Sequence, residues 1–289
     1  MVRFLLGMDG GGSNARARLT DIAGRRLGEG TGGPANAGNN LQGAIASLDA
    51  AAHMALSTAG LPRHARSEMF AVIGAAGVGD AKVAAQLAAA PFGFHGLKVV
   101  TDAEIALEGA FAGGDGAILI VGTGSQGYGR IGERRYRVGG WGPAISDGGS
   151  GAVIGRHAVR RALEAHEGLA VSSAMTAAVF DRLGGSAVML SAFGKTASSA
   201  DWAALAPLVF DHAEAGDPAA DTIVAAATLE IEALFDRLLT EGTGRVALMG
   251  GLAARYRTRL SPRFIPFVAD PIGDALDGAL GLAQKGGEP

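Results

Sequence analysis

The chain has 289 residues, of which 48% are hydrophobic and 18% charged, and its formal net charge is −3. That composition excludes disorder, and the slight acidity speaks against a nucleic-acid or membrane-surface partner, which selects a basic face. There is no cysteine, so disulfide scaffolds, thiolate nucleophiles, iron–sulfur clusters and Cys-based zinc sites are excluded together.

A chain of this length buries roughly three quarters of its unfolded surface and commonly forms two domains. The six histidines are scattered, with no metal-ligand spacing among them. No apolar run reaches the ~20 residues of a membrane span. Met1 to Gly7 is too short and too weakly charged for a leader and reads as a first strand, so a cytoplasmic location is expected. Glycine is the anomaly: 47 residues, about twice the usual ~7% share. They cluster at Gly10 to Gly12, Gly122 to Gly129, Gly139-Gly140, Gly148-Gly149 and Gly250-Gly251; flexible linkers are one reading, but each cluster adjoins an apolar run, which suggests backbone brought close to a ligand.

In chain order, residues 2–8, 15–20 and 25–30 predict a three-strand meander. Residues 40–59 place Leu41, Ala44, Ile45, Leu48, Ala52, Ala55 and Leu56 on one helical face. A strand (69–74), a helix (80–90), a strand (97–101) and a helix (about 103–112) follow. The pattern then restarts with strands at 117–121, 126–131 and 134–138. Helices are predicted at about 150–167, 172–183, 199–214 and 217–241. A strand (245–249), a helix (252–260), a strand (264–268) and a last helix (274–285) complete the chain. The fold class is α/β: two lobes of duplicated βββαβαβ topology with a cleft between them. The predicted division is 1–112, completed by the last helix at about 274–289, and 113–273 with a helical insertion.

Three common motifs fail on context. Gly122 to Gly127 matches G-x-G-x-x-G but runs into a strand, where a dinucleotide fingerprint must open a helix. Gly194-Lys195-Thr196 lacks the upstream P-loop glycine, because Met189 stands there. Gly11-Gly12-Ser13-Asn14-Ala15 lacks the closing glycine of a nucleophile elbow. What remains is a strand ending in Asp9-Gly10-Gly11-Gly12-Ser13 that turns back into a second strand, and the same arrangement at Gly122-Thr123-Gly124-Ser125. Glycine turns let backbone N–H groups approach phosphate oxygens, and a hydroxyl adds a donor. Asp9 can hold Mg²⁺ directly or through water. The alternative is a glycine-rich hairpin with a surface Asp.

Met8 to Ser13, Gly122 to Ser125 and Met249-Gly250-Gly251 resemble the two phosphate motifs and the adenosine motif of the actin-like ATPase superfamily, a ribonuclease H-like fold that includes hexokinases. Within it the chain resembles the BadF/BadG/BcrA/BcrD-type ATPases and N-acetylglucosamine kinases. Gly33-Pro34-Ala35-Asn36, Val100 to Ala103 and Ser146 to Gly151 all fit. Gly194 to Ala197, Gly216-Asp217-Pro218, Leu260-Ser261-Pro262 and Asp277 to Leu280 extend the likeness toward bacterial glucosamine kinases. Relatives that activate radical dehydratases carry a cysteine-bound cluster, and a chain without cysteine is excluded from that branch.

The resemblance implies roles. Asp102 matches the general base and touches the sugar; capping the next helix is a compatible second role. Asn36 and Asp147 match sugar-binding positions, or are turn and cap residues. Gly10, Gly11, Gly12, Ser13, Gly122, Thr123, Gly124 and Ser125 would hold ATP phosphates, and Gly250 and Gly251 would pass under adenosine. Asp9 would serve Mg²⁺. Trp141 lies either in a loop near the sugar or in the core, and Lys195 reads as a solvated charge. The implied function is an ATP-dependent phosphotransferase acting on the 6-hydroxyl of glucosamine, with N-acetylglucosamine second. A non-catalytic sugar or nucleotide sensor on the same fold is the competing class. ATP and a small amino sugar are the expected partners, and the assembly stays open, with a homodimer as one candidate.

Overall fold

The computed structural model describes residues 1–286. The last three residues of the expected terminal segment, 287–289, lie outside the described residues. The elements in chain order are β1 (Phe4–Gly10), β2 (Ala15–Asp21), β3 (Arg26–Gly32), α1 (Leu41–Thr58), β4 (Met69–Ala75), α2 (Ala81–Ala88), β5 (Gly96–Thr101) and α3 (Asp102–Phe111). They continue as β6 (Gly116–Val121), β7 (Ser125–Ile131), β8 (Arg134–Gly139), α4 (Gly151–His166), α5 (Ala174–Arg182), α6 (Ala187–Thr196), α7 (Ser199–Ala203), α8 (Ala206–Glu214) and α9 (Pro218–Thr240). The chain ends with β9 (Val246–Met249), α10 (Ala253–Arg257), β10 (Val268–Ala269) and α11 (Ala275–Gly286). Two compact units result: Met1–Asp115 with the segment from Asp270 onward, and Gly116–Ala269. No helix among the described residues is long and apolar enough to cross a membrane.

The first unit is built on a five-stranded sheet in the order β3-β2-β1-β4-β5. β1 is antiparallel to β2 and parallel to β4, and β4 is parallel to β5. Leu6 and Met8 of β1 point into a core shared with Leu48, Ala52 and Leu56 of α1 and with Ile73 and Leu87. Leu5 points to the other face, among Val72, Val100, Ile105 and Leu282. Both faces of β1 are covered, so its apolar run is continuous rather than alternating. Arg18 on β2 is buried and bonded to Glu29, Asp274 and Asp277, which ties the chain's final helix to its second strand.

Part of the glycine excess is explained here without any ligand. Gly28, Gly30 and Gly32 alternate along β3 and form one bare face, on which α1 lies. A β-carbon on Gly30 would stand 2.1 Å from the carbonyl oxygen of Ala51, and one on Gly28 2.2 Å from that of Ala55. Neither helix backbone can give way without moving the core side chains behind it. Gly30→Ala is therefore expected to cost about 3 kcal/mol, the upper part of the usual overpacking range. Urea unfolding measures it, and an unchanged midpoint would mean that α1 does not sit on the strand.

The second unit repeats the plan. Its sheet runs β10-β9-β6-β7-β8, so β6, β7, β8, β9 and β10 occupy the places of β1, β2, β3, β4 and β5. Its core collects Leu119, Val121, Ile154, Phe210, Ile231, Phe235, Tyr256 and Phe264 beneath a helical layer. Three expectations need correction. The strand expected at 264–268 is a 3₁₀ turn over Pro262–Phe267 with only Val268–Ala269 paired, because Pro262 and Pro266 have no N–H to give a ladder. The helix expected over 199–214 is two, with the second opening around Pro207. α6 was not expected at all. Its signal is local: Gly184 and Gly185 close α5, and the Ser186 side chain accepts from Met189 N.

Candidate functional site

In the first unit the candidate residues gather at the carboxyl ends of parallel strands. Register pairs Gly10 with Ala75 and Ala75 with Thr101, so the ends of β1, β4 and β5 stand in a row. At ~4.8 Å per strand, Asp102 begins two strands, or ~10 Å, from the Gly10 turn. The turn itself is closed by Gly11 N donating to Asn14 O at 3.0 Å. Ala76 N donates to Gly10 O and Ala35 N to Gly11 O, both at 2.8 Å, which docks the loop carrying Asn36 onto the strand ends. Gly10 is buried, while Gly12 and Ser13 are exposed and a β-carbon on Gly12 would meet nothing within 4 Å. The tip is an open backbone surface on a fixed base.

Asp9 lies one residue before this turn, and Arg16 Nη2 donates to its Oδ2 at 2.6 Å. Asp102 is the first residue of α3, but the cap is Thr101, whose hydroxyl accepts from Glu104 N at 3.1 Å. The compatible capping role thus falls to the neighbour. Asp102 Oδ1 accepts from Ala103 N at 2.9 Å, and the side chain is half-buried at the start of the helix. Asn36 Oδ1 accepts from Gly38 N and Asn39 N, at 3.0 and 3.2 Å. Its carbonyl is committed to the turn, which leaves the amide nitrogen as the other polar atom of the side chain.

The second unit brings its candidates together around the end of β6. Gly122 N donates to Gly124 O at 2.9 Å and closes the turn. Gly151 N and Ala152 N, at the start of α4, donate to Gly122 O and Thr123 O at 2.8 and 3.2 Å. The turn at Gly250 lies against it: Leu252 N donates to Val121 O at 3.0 Å. Gly250 has φ +94°, and a β-carbon there would stand 2.4 Å from Val121 O. Gly251 beside it faces open space. Thr123 is exposed, whereas Ser125 is 2% exposed and its hydroxyl donates to Gly148 O at 2.7 Å. The hydroxyl donor expected at Ser125 is therefore engaged inside the protein, which leaves the backbone and Thr123 as the polar groups of this turn.

Asp147 sits against the same turn. Its Oδ1 accepts from Gly142 N at 3.1 Å, and its Oδ2 is 2.7 Å from where a β-carbon on Gly124 would be. It is 7% exposed, its φ is +58°, and burial raises its pKa above the ordinary Asp value. A strained, desolvated carboxylate is held there by its surroundings. Two of them were not legible in the sequence: Glu230 Oε2 accepts from Gly149 N at 2.6 Å, and the buried Tyr256 hydroxyl donates to Gly149 O. Both come from helices far along the chain, and neither carries a motif. Trp141 is 68% exposed, with the Arg137 guanidinium 4.2 Å from its ring centre, so it is not a core residue. Lys195 is an exposed charge near the end of α6.

No group of three His, Asp or Glu side chains able to cage a metal occurs among the described residues.

The family model of the BadF/BadG/BcrA/BcrD ATPase family matches residues 6–283. The glucosamine kinase GspK of Vibrio cholerae serotype O1 is 32% identical over 284 residues, covering 98% of this chain and 97% of its own. An N-acetylmuramic acid/N-acetylglucosamine kinase of Clostridium acetobutylicum is 33% identical over 171 residues, 57% of this chain and 55% of its own. A crystal structure from Chromobacterium violaceum, provisionally assigned as an N-acetylglucosamine kinase, superposes with a TM-score of 0.92 at 33% identity, covering 98% of this chain and 99% of that one. With the family model matching nearly the whole chain, the chain belongs to the BadF/BadG/BcrA/BcrD ATPase family.

Proposed function

We propose that the chain is an ATP-dependent amino-sugar kinase that phosphorylates the 6-hydroxyl of glucosamine. The observation that carries this reading is the row of strand ends in the first unit, where Asp102 opens a helix two strands from an open glycine turn. Phosphoryl transfer needs a held polyphosphate, an aligned hydroxyl and a proton acceptor, and little covalent help from the protein. The backbone of Gly11 to Ser13 would hold phosphate oxygens, and in the second unit Gly122 to Gly124 would do the same, with Gly250 and Gly251 beneath the adenosine. Mg²⁺ would neutralise phosphate charge when bound, and Asp9 would hold it. Asp102 would align the attacking hydroxyl and accept its proton. The Asn36 amide and the Asp147 carboxylate would bond sugar hydroxyls, one as donor and one as acceptor. A cytosolic location goes with a reaction that uses ATP.

The near full-length likeness to a glucosamine kinase supports glucosamine as the acceptor. Likeness to kinases named for N-acetylglucosamine keeps that sugar as the second reading. The two differ at C2, an amine against an amide bearing a methyl group. A site built around one polar group rejects an analogue that leaves its partners unpaired. ADP release measured with glucosamine, N-acetylglucosamine, glucose and N-acetylmannosamine tests both. Glucosamine is expected to lead by at least ~10-fold in kcat/KM. Equal or better turnover of N-acetylglucosamine would replace the acceptor and leave the kinase. No sugar-dependent ADP release would favour a non-catalytic sensor.

A further inference from the structure

Asp9 and Arg16 face each other across β1 and β2, in direct register, one on each side of the open glycine turn. The Arg16 guanidinium is bonded to the Asp9 carboxylate at 2.6 Å. Arg18, two residues along the same face of β2, shows what a structural arginine looks like in this sheet. Its side chain is 8% exposed, and Glu29, Asp274 and Asp277 all pair with it. Arg16 is built differently. Its side chain is 40% exposed and its ion pair is with one carboxylate, itself 18% exposed. Asp274 reaches it only as a more distant charge. An arginine shared by three carboxylates is fixed, whereas a half-exposed arginine held by one can change partner at modest cost.

The neighbouring turn offers backbone amides, which suit phosphate but bring no full positive charge. A guanidinium supplies that charge in a planar fork that matches phosphate oxygens. Arg16 also explains how Asp9 can sit mostly buried, since a paired carboxylate avoids the penalty of an isolated one.

Resting on the kinase reading above, we propose that Arg16 is a triphosphate-binding residue that changes partner. In the structure it neutralises Asp9. When a nucleoside triphosphate binds, the guanidinium turns to phosphate oxygens at the Gly11 to Ser13 turn, and the Asp9 carboxylate is released to the metal. Each charge gives up one partner and gains another of the same sign. The arginine is thus a phosphate ligand in its own right, and not only a support for Asp9.

Calorimetric titration with the non-hydrolysable analogue AMPPNP and with adenosine, each with and without Mg²⁺, tests this. Wild type that binds no AMPPNP overturns the kinase reading and the proposal with it. Where wild type binds, Arg16→Gln is expected to weaken AMPPNP by about 10-fold or more in both conditions, while adenosine is unchanged. Arg16→Lys should show the same pattern with a smaller loss, because it keeps the charge without the fork. It also decides the matter if Arg16→Gln does not fold. A residue that merely positions Asp9 would give a loss confined to the titrations containing Mg²⁺. That result overturns the proposal, as does an AMPPNP affinity equal to wild type or an equal loss for adenosine.

Discussion

Asp102→Asn is expected to lower kcat by at least ~10²-fold, the low end of what a positioned proton acceptor contributes, with nucleotide and sugar affinities little changed. The substitution is mild for the fold. Thr101, not Asp102, caps α3, and the asparagine oxygen can still accept from Ala103 N as the aspartate Oδ1 does now. What an amide cannot do is take a proton from the attacking hydroxyl. The position is prepared for a carboxylate, since the start of a helix stabilises negative charge. Steady-state kinetics with saturating ATP and sugar give kcat, and thermal unfolding verifies that the variant is folded. Retention of more than half of the wild-type kcat would remove Asp102 from the role of base.

The placement of Asp102 was legible because everything that determines it is local. An apolar strand ends at Thr101, a helix follows, and a carboxylate stands at the junction. The two glycine turns were legible for the same reason, as was the repeated order of elements, which the two sheets reproduce strand for strand. Other features depend on contacts between distant segments and leave no trace in a window of sequence. Gly28, Gly30 and Gly32 belong to the glycine excess but to none of the clusters that suggested ligand approach, and their bare face receives a helix that begins nine residues later. Ser125 looks like a phosphate donor in the run Gly122 to Ser125. Only the fold shows its hydroxyl turned to the carbonyl of Gly148, 23 residues on. Glu230 and Tyr256 hold the turn after Asp147 from helices 81 and 107 residues away from Gly149. The 3₁₀ turn over Pro262–Phe267 is a different kind of miss. Its apolar residues mimic a strand, and the two prolines that forbid one are visible in the sequence. Fold order is thus written mostly in local pattern, while the commitment of a particular polar atom is settled by its partner.

Asp147→Asn should separate stability from function in the second unit. The native carboxylate is nearly buried, adopts a left-handed backbone conformation and has its pKa raised chiefly by loss of water. A raised native pKa means that the folded state binds the proton more tightly than the unfolded state does. The associated stability is complete at pH below the ordinary Asp value and is lost as pH rises through the raised one. Near neutrality the ionised Asp147 is therefore a cost to the fold. Asparagine removes that charge, can still accept from Gly142 N, and tolerates a positive φ better than most residues. The variant is expected to unfold at the same temperature as wild type or higher at pH 7, with the difference vanishing in acid. Its sugar KM should rise by ~10²-fold, the loss expected from about 3 kcal/mol of charge-assisted hydrogen bonds to sugar hydroxyls. In the wild type, the same dependence on the ionised form predicts that kcat/KM for sugar falls on acidification at a pH above the usual carboxylate range. A destabilised variant with an unchanged KM would make Asp147 a structural residue of the turn.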